Sequence, residues 1–212
     1  MAFKPVVGVL TLPENKQDAK AVLEQTSAAA GCPVTQILVP NRVGFTKAAN
    51  AVLRKAFELK APYVVILNDD LTSCSKEWLV KMIAALELDE RNVLAFPSGQ
   101  CSTDRLSTTG RRGDNDGVFD VPTGSMFATV FRTSVLDAVG MLSEEYIHWA
   151  SDDDYCNRVW EVGLKCVWVR HVYFGHNYTG GLAKTDEQAL WQFHDRKLFF
   201  SKWNRDGSRR RV

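Results

Sequence analysis

The chain has 212 residues, 45% of them hydrophobic, which is enough for one compact domain with a sizeable core and excludes wholesale disorder. Its 26 basic and 25 acidic residues leave a formal net charge of +1, so the molecule as a whole has no electrostatic reason to seek nucleic acid or anionic lipid. The cysteines Cys32, Cys74, Cys101, Cys156 and Cys166 are odd in number, scattered and without a C-x-x-C pair, which argues against a disulfide framework and against a cysteine zinc site. With no apolar run long enough to span a bilayer and no signal-peptide pattern at the start, the reading is a soluble cytoplasmic protein, in which the Asn177-Tyr178-Thr179 sequon is incidental.

In chain order, Pro5 to Leu12 carries Val6, Val7, Val9 and Leu10 and suits a strand buried on both faces. A helix is expected from about Glu14 to Ala30, with Ala21, Val22, Leu23 and Ala28 inward and Gly31 ending it. Val34 to Val39 is the second strand, and a helix from about Thr46 to Leu59 puts Ala49, Val52, Leu53, Ala56 and Phe57 at helical spacing. The third strand, Tyr63 to Leu67, runs into Asn68-Asp69-Asp70, and a helix from about Ser75 to Leu88 follows. This β-α-β-α-β-α order predicts an α/β domain with a mostly parallel sheet flanked by helices and ligands at the carboxyl ends of its strands.

A fourth strand at Val93 to Phe96 precedes Ser98 to Gly117, a polar stretch without apolar periodicity that reads as a long loop, either a lid or a partner-binding segment. Then come a strand at Val118 to Val121, a Pro122-Thr123-Gly124 turn, a strand from Ser125 to Phe131 and a short helix from about Thr133 to Val139. Ser151-Asp152-Asp153-Asp154 opens a helix with Tyr155, Cys156, Val159 and Val162 inward, followed by the strand Leu164 to Val169 and the aromatic strand Val172 to Gly175. A last helix is expected from Thr185, with Thr185 and Gln188 at capping-box spacing and Leu190, Phe193, Lys197 and Phe200 following, and then a basic tail from Arg205 that reads as solvated.

Two acidic groups and one histidine stand out chemically. Asp69 and Asp70 follow a buried strand, where they either hold a divalent cation, with hard oxygen ligands and substrate phosphates, or form a solvated turn that caps a helix. Asp152, Asp153 and Asp154 repel one another, so at least one should titrate high or find a cationic partner such as Arg158; a raised carboxylate suits a general base, and the plain alternative is helix N-terminal decoration. His176 stands at a strand end before Gly180-Gly181 as either a metal ligand or a hydrogen-bonded structural residue. His148 and Trp149 either stack on an acceptor or belong to the core. No G-x-G-x-x-G, Walker A loop, H-E-x-x-H or G-x-S-x-G is present, so dehydrogenase, P-loop, zinc-protease and esterase readings lose their best support.

Five segments in order resemble the inverting glycosyltransferases of family 2, with the GT-A (Rossmann-like) fold, particularly the rhamnosyltransferase-like members. They are Val6-Val7-Gly8-Val9-Leu10-Thr11; Asn41-Arg42-Val43-Gly44-Phe45 with Ala48, Ala49 and Asn50; Leu67-Asn68-Asp69-Asp70; Thr123-Gly124-Ser125-Met126 with Arg132 and Val139-Gly140-Met141-Leu142; and Ser151-Asp152-Asp153-Asp154-Tyr155-Cys156-Asn157-Arg158. The resemblance covers about residues 5 to 181 and implies one domain. Residues 1–97 would form the nucleotide-sugar half, 118–184 the acceptor and catalytic half with a small acceptor-side subdomain, and 185–212 a C-terminal helix and basic tail.

By that resemblance Thr11, Pro13, Asn41, Gly44, Asn50, Asn68 and Asp69 contact the nucleotide sugar, and Asp70 and His176 hold Mn²⁺ or Mg²⁺. Asp152 is the catalytic base, and Gly124, His148, Trp149, Asp153, Asp154 and Arg158 shape the acceptor side. Asn68 replaces the first Asp of the family's D-x-D motif, which leaves one strong carboxylate ligand, and Ser151 replaces the usual Glu. The donor is a UDP-, dTDP- or GDP-linked sugar and the acceptor a hydroxyl of a glycan, a glycolipid or modified nucleic acid, with peripheral membrane placement compatible with the basic C-terminus. Two alternatives stand beside this: a sugar nucleotidyltransferase, for which Thr11 to Lys16 is a poor triphosphate loop, and a nucleotide-sugar or glycan-binding module that has lost catalysis.

Overall fold

The apolar runs Val6–Thr11 (β1) and Tyr63–Asn68 (β3) lie side by side as parallel strands in the interior of a sheet, the place their two-sided burial requires. The computed structural model describes residues 4–40, 44–99, 117–176, 186–204 and 207–210. The remaining strands are Thr35–Pro40 (β2), Leu71–Cys74 (β4), Asn92–Gly99 (β5), Val118–Asp120 (β6), Ala128–Arg132 (β7) and Lys165–His176 (β8). Their order across the sheet is β2-β1-β3-β7-β5-β8-β4, with β6 also paired to β8. β1, β2, β3, β5 and β8 share one direction and β4, β6 and β7 oppose it, so the α/β expectation of a mostly parallel sheet holds.

Helices Lys16–Ala28 (α1) and Trp78–Glu87 (α3) pack on one face of this sheet, around Val22, Leu23, Trp78, Leu79 and Met82. Helices Phe45–Glu58 (α2), Val135–Ala138 (α4) and Ser151–Glu161 (α5) pack on the other, around Val52, Leu53, Leu136, Tyr155 and Val159. Each such buried side chain contributes roughly 1.5–3 kcal/mol of transfer free energy. Gly8 lets α2 lie close on β1, because a Cβ there would stand 2.5 Å from both Val52 methyl groups. The last helix is Asp186–Lys202 (α6).

Several boundaries differ from the sequence expectation, each for a local reason. Pro13–Asn15 forms a 3-10 turn, so α1 starts only at Lys16, and Ala21 and Ala28 face solvent. Phe57 and Val162, expected inward, are exposed. α3 begins at Trp78 because Leu71–Cys74 is spent on β4, and Ser75 donates its backbone N–H to Tyr173 O at 2.9 Å. The two strands expected in 164–175 are one, β8, whose register on β5 jumps where Pro97, which has no N–H, pairs with Val169 and the next residue, Ser98, with Tyr173. The Ser98 to Gly117 stretch lies outside the described residues apart from its ends, Ser98-Gly99 and Gly117, as do the sequon, Gly180-Gly181 and the Thr185 half of the capping box.

Candidate active site

The chain leaves β3 at Asn68 and turns through Asp69-Asp70 into β4, which pairs with the far end of β8. Because Leu71 pairs with His176, that turn brings Asp70 against the last residue of β8: Asp70 Oδ1 and His176 Nε2 are 2.8 Å apart. Adjacent ligands of one divalent cation, each about 2.1 Å from it, stand roughly 3 Å from each other, so this pair fits two corners of a Mg²⁺ or Mn²⁺ site. Among the described residues no third His, Cys, Asp or Glu joins them. That suits a cation whose other ligands are water and phosphate oxygens. Beside it, at the end of β1, the buried Thr11 hydroxyl donates to Asp69 Oδ2 at 2.7 Å, while Pro13 is exposed.

Phe127 supports this corner. Its ring lies 5.1 Å from the His176 ring, its carbonyl accepts the Asn68 N–H at 2.9 Å, and Gly99 makes room for it, since a Cβ at that position would be 2.4 Å from the ring. The backbone of the preceding residue, Met126, lies close enough to the Asp152 carboxyl to pull its pKa down slightly. Consecutive Cα atoms are about 3.8 Å apart. Met126 is thus a neighbour of Asp152, and the next residue, Phe127, a neighbour of His176.

Asp152 stands at the start of α5, where its Oδ1 accepts the Asp153 N–H at 3.0 Å. Burial pushes its carboxyl up to about 7, the Asp153 charge pushes the same way, and the helix N–H groups and the Met126 backbone pull back only in part. Asp153 accepts a hydrogen bond from the Thr123 hydroxyl. Gly124, next in the chain, lies flat on Phe96: a Cβ there would be 2.5 Å from the ring, so only glycine lets this turn sit on the sheet. The structure thus gathers Thr123, Gly124, Asp152 and Asp153.

Other residues expected at the site make contacts within the chain. Asn50 gives both amide hydrogens to Leu142 O and Glu144 Oε1, each at 2.9 Å, and accepts the Leu142 N–H at 3.0 Å, so it clamps α2 to the 142–144 segment and has no donor left for a nucleotide. Asp154, buried, accepts from Trp203 Nε1 at 2.9 Å and Tyr146 Oη at 3.2 Å, and pairs with Arg158 Nε at 3.0 Å. The two terminal nitrogens of Arg158 donate to Val139 O and Met141 O, each at 3.0 Å. Asp154 and Arg158 hold α5 in place through these contacts. Gly44, with φ +89°, meets the 147 segment so closely that a Cβ would fall 2.3 Å from Ile147 O. Asn41 lies outside the described residues.

His148 and Trp149 stack edge to face with ring centroids 4.5 Å apart, and burial lowers the His148 pKa against the opposing pull of Asp195. What fixes them escaped the sequence reading: fully buried Asp195, on α6, accepts the backbone N–H groups of Ile147, His148 and Trp149 at 2.8–3.2 Å. A second omission is the C-terminal segment. Trp203 is fully buried, and Arg209 lies over its ring at 4.7 Å while forming two hydrogen bonds to Glu161. Within the tail expected to be solvated, Ser208, Arg209 and Arg210 are exposed, and Arg209 also reaches Glu161 on α5.

No family model matches the chain, and no curated protein matches it. Among solved structures it is similar to GalNAc-T7 with UDP, GalNAc and Mn2+, at 12% identity and a TM-score of 0.57, covering 82% of this chain and 44% of that one. It is similar to A197 from STIV at 9% identity and a TM-score of 0.57, over 82% of this chain and 85% of that one. It is also similar to S. aureus TarS 1–349 at 16% identity and a TM-score of 0.50, over 80% and 60%. The chain spans less than half of the GalNAc-T7 chain that it matches. At these identities the likeness is one of fold: the chain has the GT-A arrangement seen in glycosyltransferases.

Proposed function

We propose that the chain is a metal-dependent, inverting glycosyltransferase that moves a sugar from a nucleoside-diphosphate sugar to an acceptor hydroxyl. The observation that carries this reading is the meeting of Asp70 Oδ1 and His176 Nε2 at 2.8 Å, at the carboxyl ends of strands in a GT-A sheet, in a chain that also holds Asp152, a carboxyl raised to about 7 at a helix start. Asp70 and His176 would hold Mn²⁺ or Mg²⁺. A cation there would supply charge neutralisation at the diphosphate of the donor. Thr11 and Asp69 stand where the nucleotide would rest, and Thr123 and Gly124 line the acceptor side. The solved structure of GalNAc-T7 with UDP, GalNAc and Mn2+ supports the ligand classes without fixing the nucleotide, the sugar or the stereochemistry for this chain.

Asp152 takes the proton of the acceptor hydroxyl as its oxygen attacks the anomeric carbon opposite the departing diphosphate, which inverts the configuration there. Its raised pKa matches a base that must accept a proton near neutral pH. The test is release of nucleoside diphosphate from a panel of UDP-, dTDP- and GDP-sugars with Mn²⁺. Release from one nucleotide class, abolished by EDTA, supports the reading; no release with any donor, in the presence of tight nucleotide binding, would move it to a binding module without catalysis.

A further inference from the structure

The outer face of α6 carries a regular seam. Asp186, Leu190, Phe193, Lys197 and Phe200 follow one another in steps of four, three, four and three residues. At 3.6 residues per turn that spacing keeps them within an arc of about 80°. All five are exposed, with Leu190 at 69%, Phe193 at 71% and Phe200 at 42%, while the fully buried Asp195 and the buried Gln188 lie on the opposite side of the helix. A narrow stripe with this four-three alternation is the spacing by which one helix packs along another, whereas a helix that lies on a broad apolar surface carries a wider stripe.

We propose that this face of α6 pairs, antiparallel and about a two-fold axis, with the same face of a second copy of the chain. The midpoint of Leu190 and Phe193 falls between Trp191 and Gln192, and the midpoint of Asp186 and Lys197 falls at the same place. A two-fold axis there, perpendicular to the helix, sets Leu190 of each copy opposite Phe193 of the other, and Asp186 of each opposite Lys197 of the other. That coincidence of midpoints is a requirement of a two-fold pair and of no other occupant. A parallel pair would instead set Asp186 on Asp186 and Lys197 on Lys197, which like charge disfavours. The acid and the base of the seam cancel, so it offers no net attraction to a surface of one charge sign, and Glu187 and Arg196 lie at its opposite rims. The inner side of the same helix holds the backbone of Ile147, His148 and Trp149 through Asp195, so the segment just ahead of Asp152 lies on the far side of α6 from the second copy. The pairing does not depend on the transferase reading.

Sedimentation equilibrium of the full chain over a range of protein concentrations tests this. The chain should run as monomer and dimer in equilibrium, and Phe193→Ser or Leu190→Ser, both at exposed positions, should leave a monomer that is still folded by circular dichroism. Lys197→Asp and Asp186→Lys should each raise the dimer dissociation constant roughly tenfold, because each turns two attractive pairs into repulsive ones. The double variant D186K/K197D, which restores opposite charges in reverse order, should return the constant close to the parental value. A chain that is monomeric up to its highest soluble concentration, a dimer untouched by Phe193→Ser, or a double variant as weak as the single ones overturns the proposal.

Discussion

Asp152 and Asp153 are neighbours in sequence with different surroundings: one is desolvated beside the other's charge, while the other is held by Thr123. The raised pKa of Asp152 has two consequences of opposite sign. Because the native state binds this proton more tightly than the unfolded chain, its contribution to stability is full below the ordinary carboxylate pKa of 3.8 and is lost as pH rises through about 7. In the proposed reaction the base must be unprotonated, so kcat/KM should rise with pH across that same region and level off above it. Asp152→Asn should lower kcat by roughly 10² to 10⁴ and remove that limb of the profile while nucleotide binding persists; a mutant as fast as the parent would remove Asp152 from the chemistry. The acidic run itself is legible in the sequence. Its division of labour is not, because burial and the Thr123 contact come from a loop some thirty residues earlier.

At the scale of elements, the helices and strands of the first half follow from apolar periodicity, and α2 and β3 fall within a residue of their expected bounds. β4 was hidden because four residues, Leu71-Thr72-Ser73-Cys74, are too few to show a period, and it exists through pairing with β8 and not through its own propensity. The same pairing places His176 on Asp70, so this pair could be suspected from residue types but its meeting could not be located. Asp195 was invisible for a related reason: a lone acid in a helix looks solvated until the N–H groups it receives, nearly fifty residues away, are known.

Two expectations belong to this scale. Asp195→Ala should leave three N–H groups short of their buried acceptor and cost roughly 2–5 kcal/mol, read as a lower denaturant midpoint. Gly44→Ala should cost about 1–3 kcal/mol or more, since a φ of +89° and a Cβ at 2.3 Å from Ile147 O are both unfavourable. Unchanged midpoints would mean that the 147–149 segment is held by other contacts.

For the molecule as a whole, the α/β class and the two-faced core were readable from the order of elements, and the GT-A arrangement agrees with the resemblance of the five motifs. The burial of Trp203 just before the basic tail was not legible, because a basic, polar run gives no hint that Arg209 lies over that ring. Among the described residues no helix is long and apolar enough to cross a membrane. The central claim is that the Asp70–His176 corner and the end of β1 form one metal-assisted site for a nucleoside diphosphate. Melting temperature against UDP, dTDP and GDP and their sugars, with and without Mn²⁺, tests it most directly. At 100 times Kd a ligand stabilises by about 2.7 kcal/mol, which for a domain of this size is a rise of roughly 5–10 °C. The account predicts such a rise with one nucleotide class, dependent on Mn²⁺ and lost in Asp70→Asn; no rise with any nucleotide, metal present or absent, would contradict it.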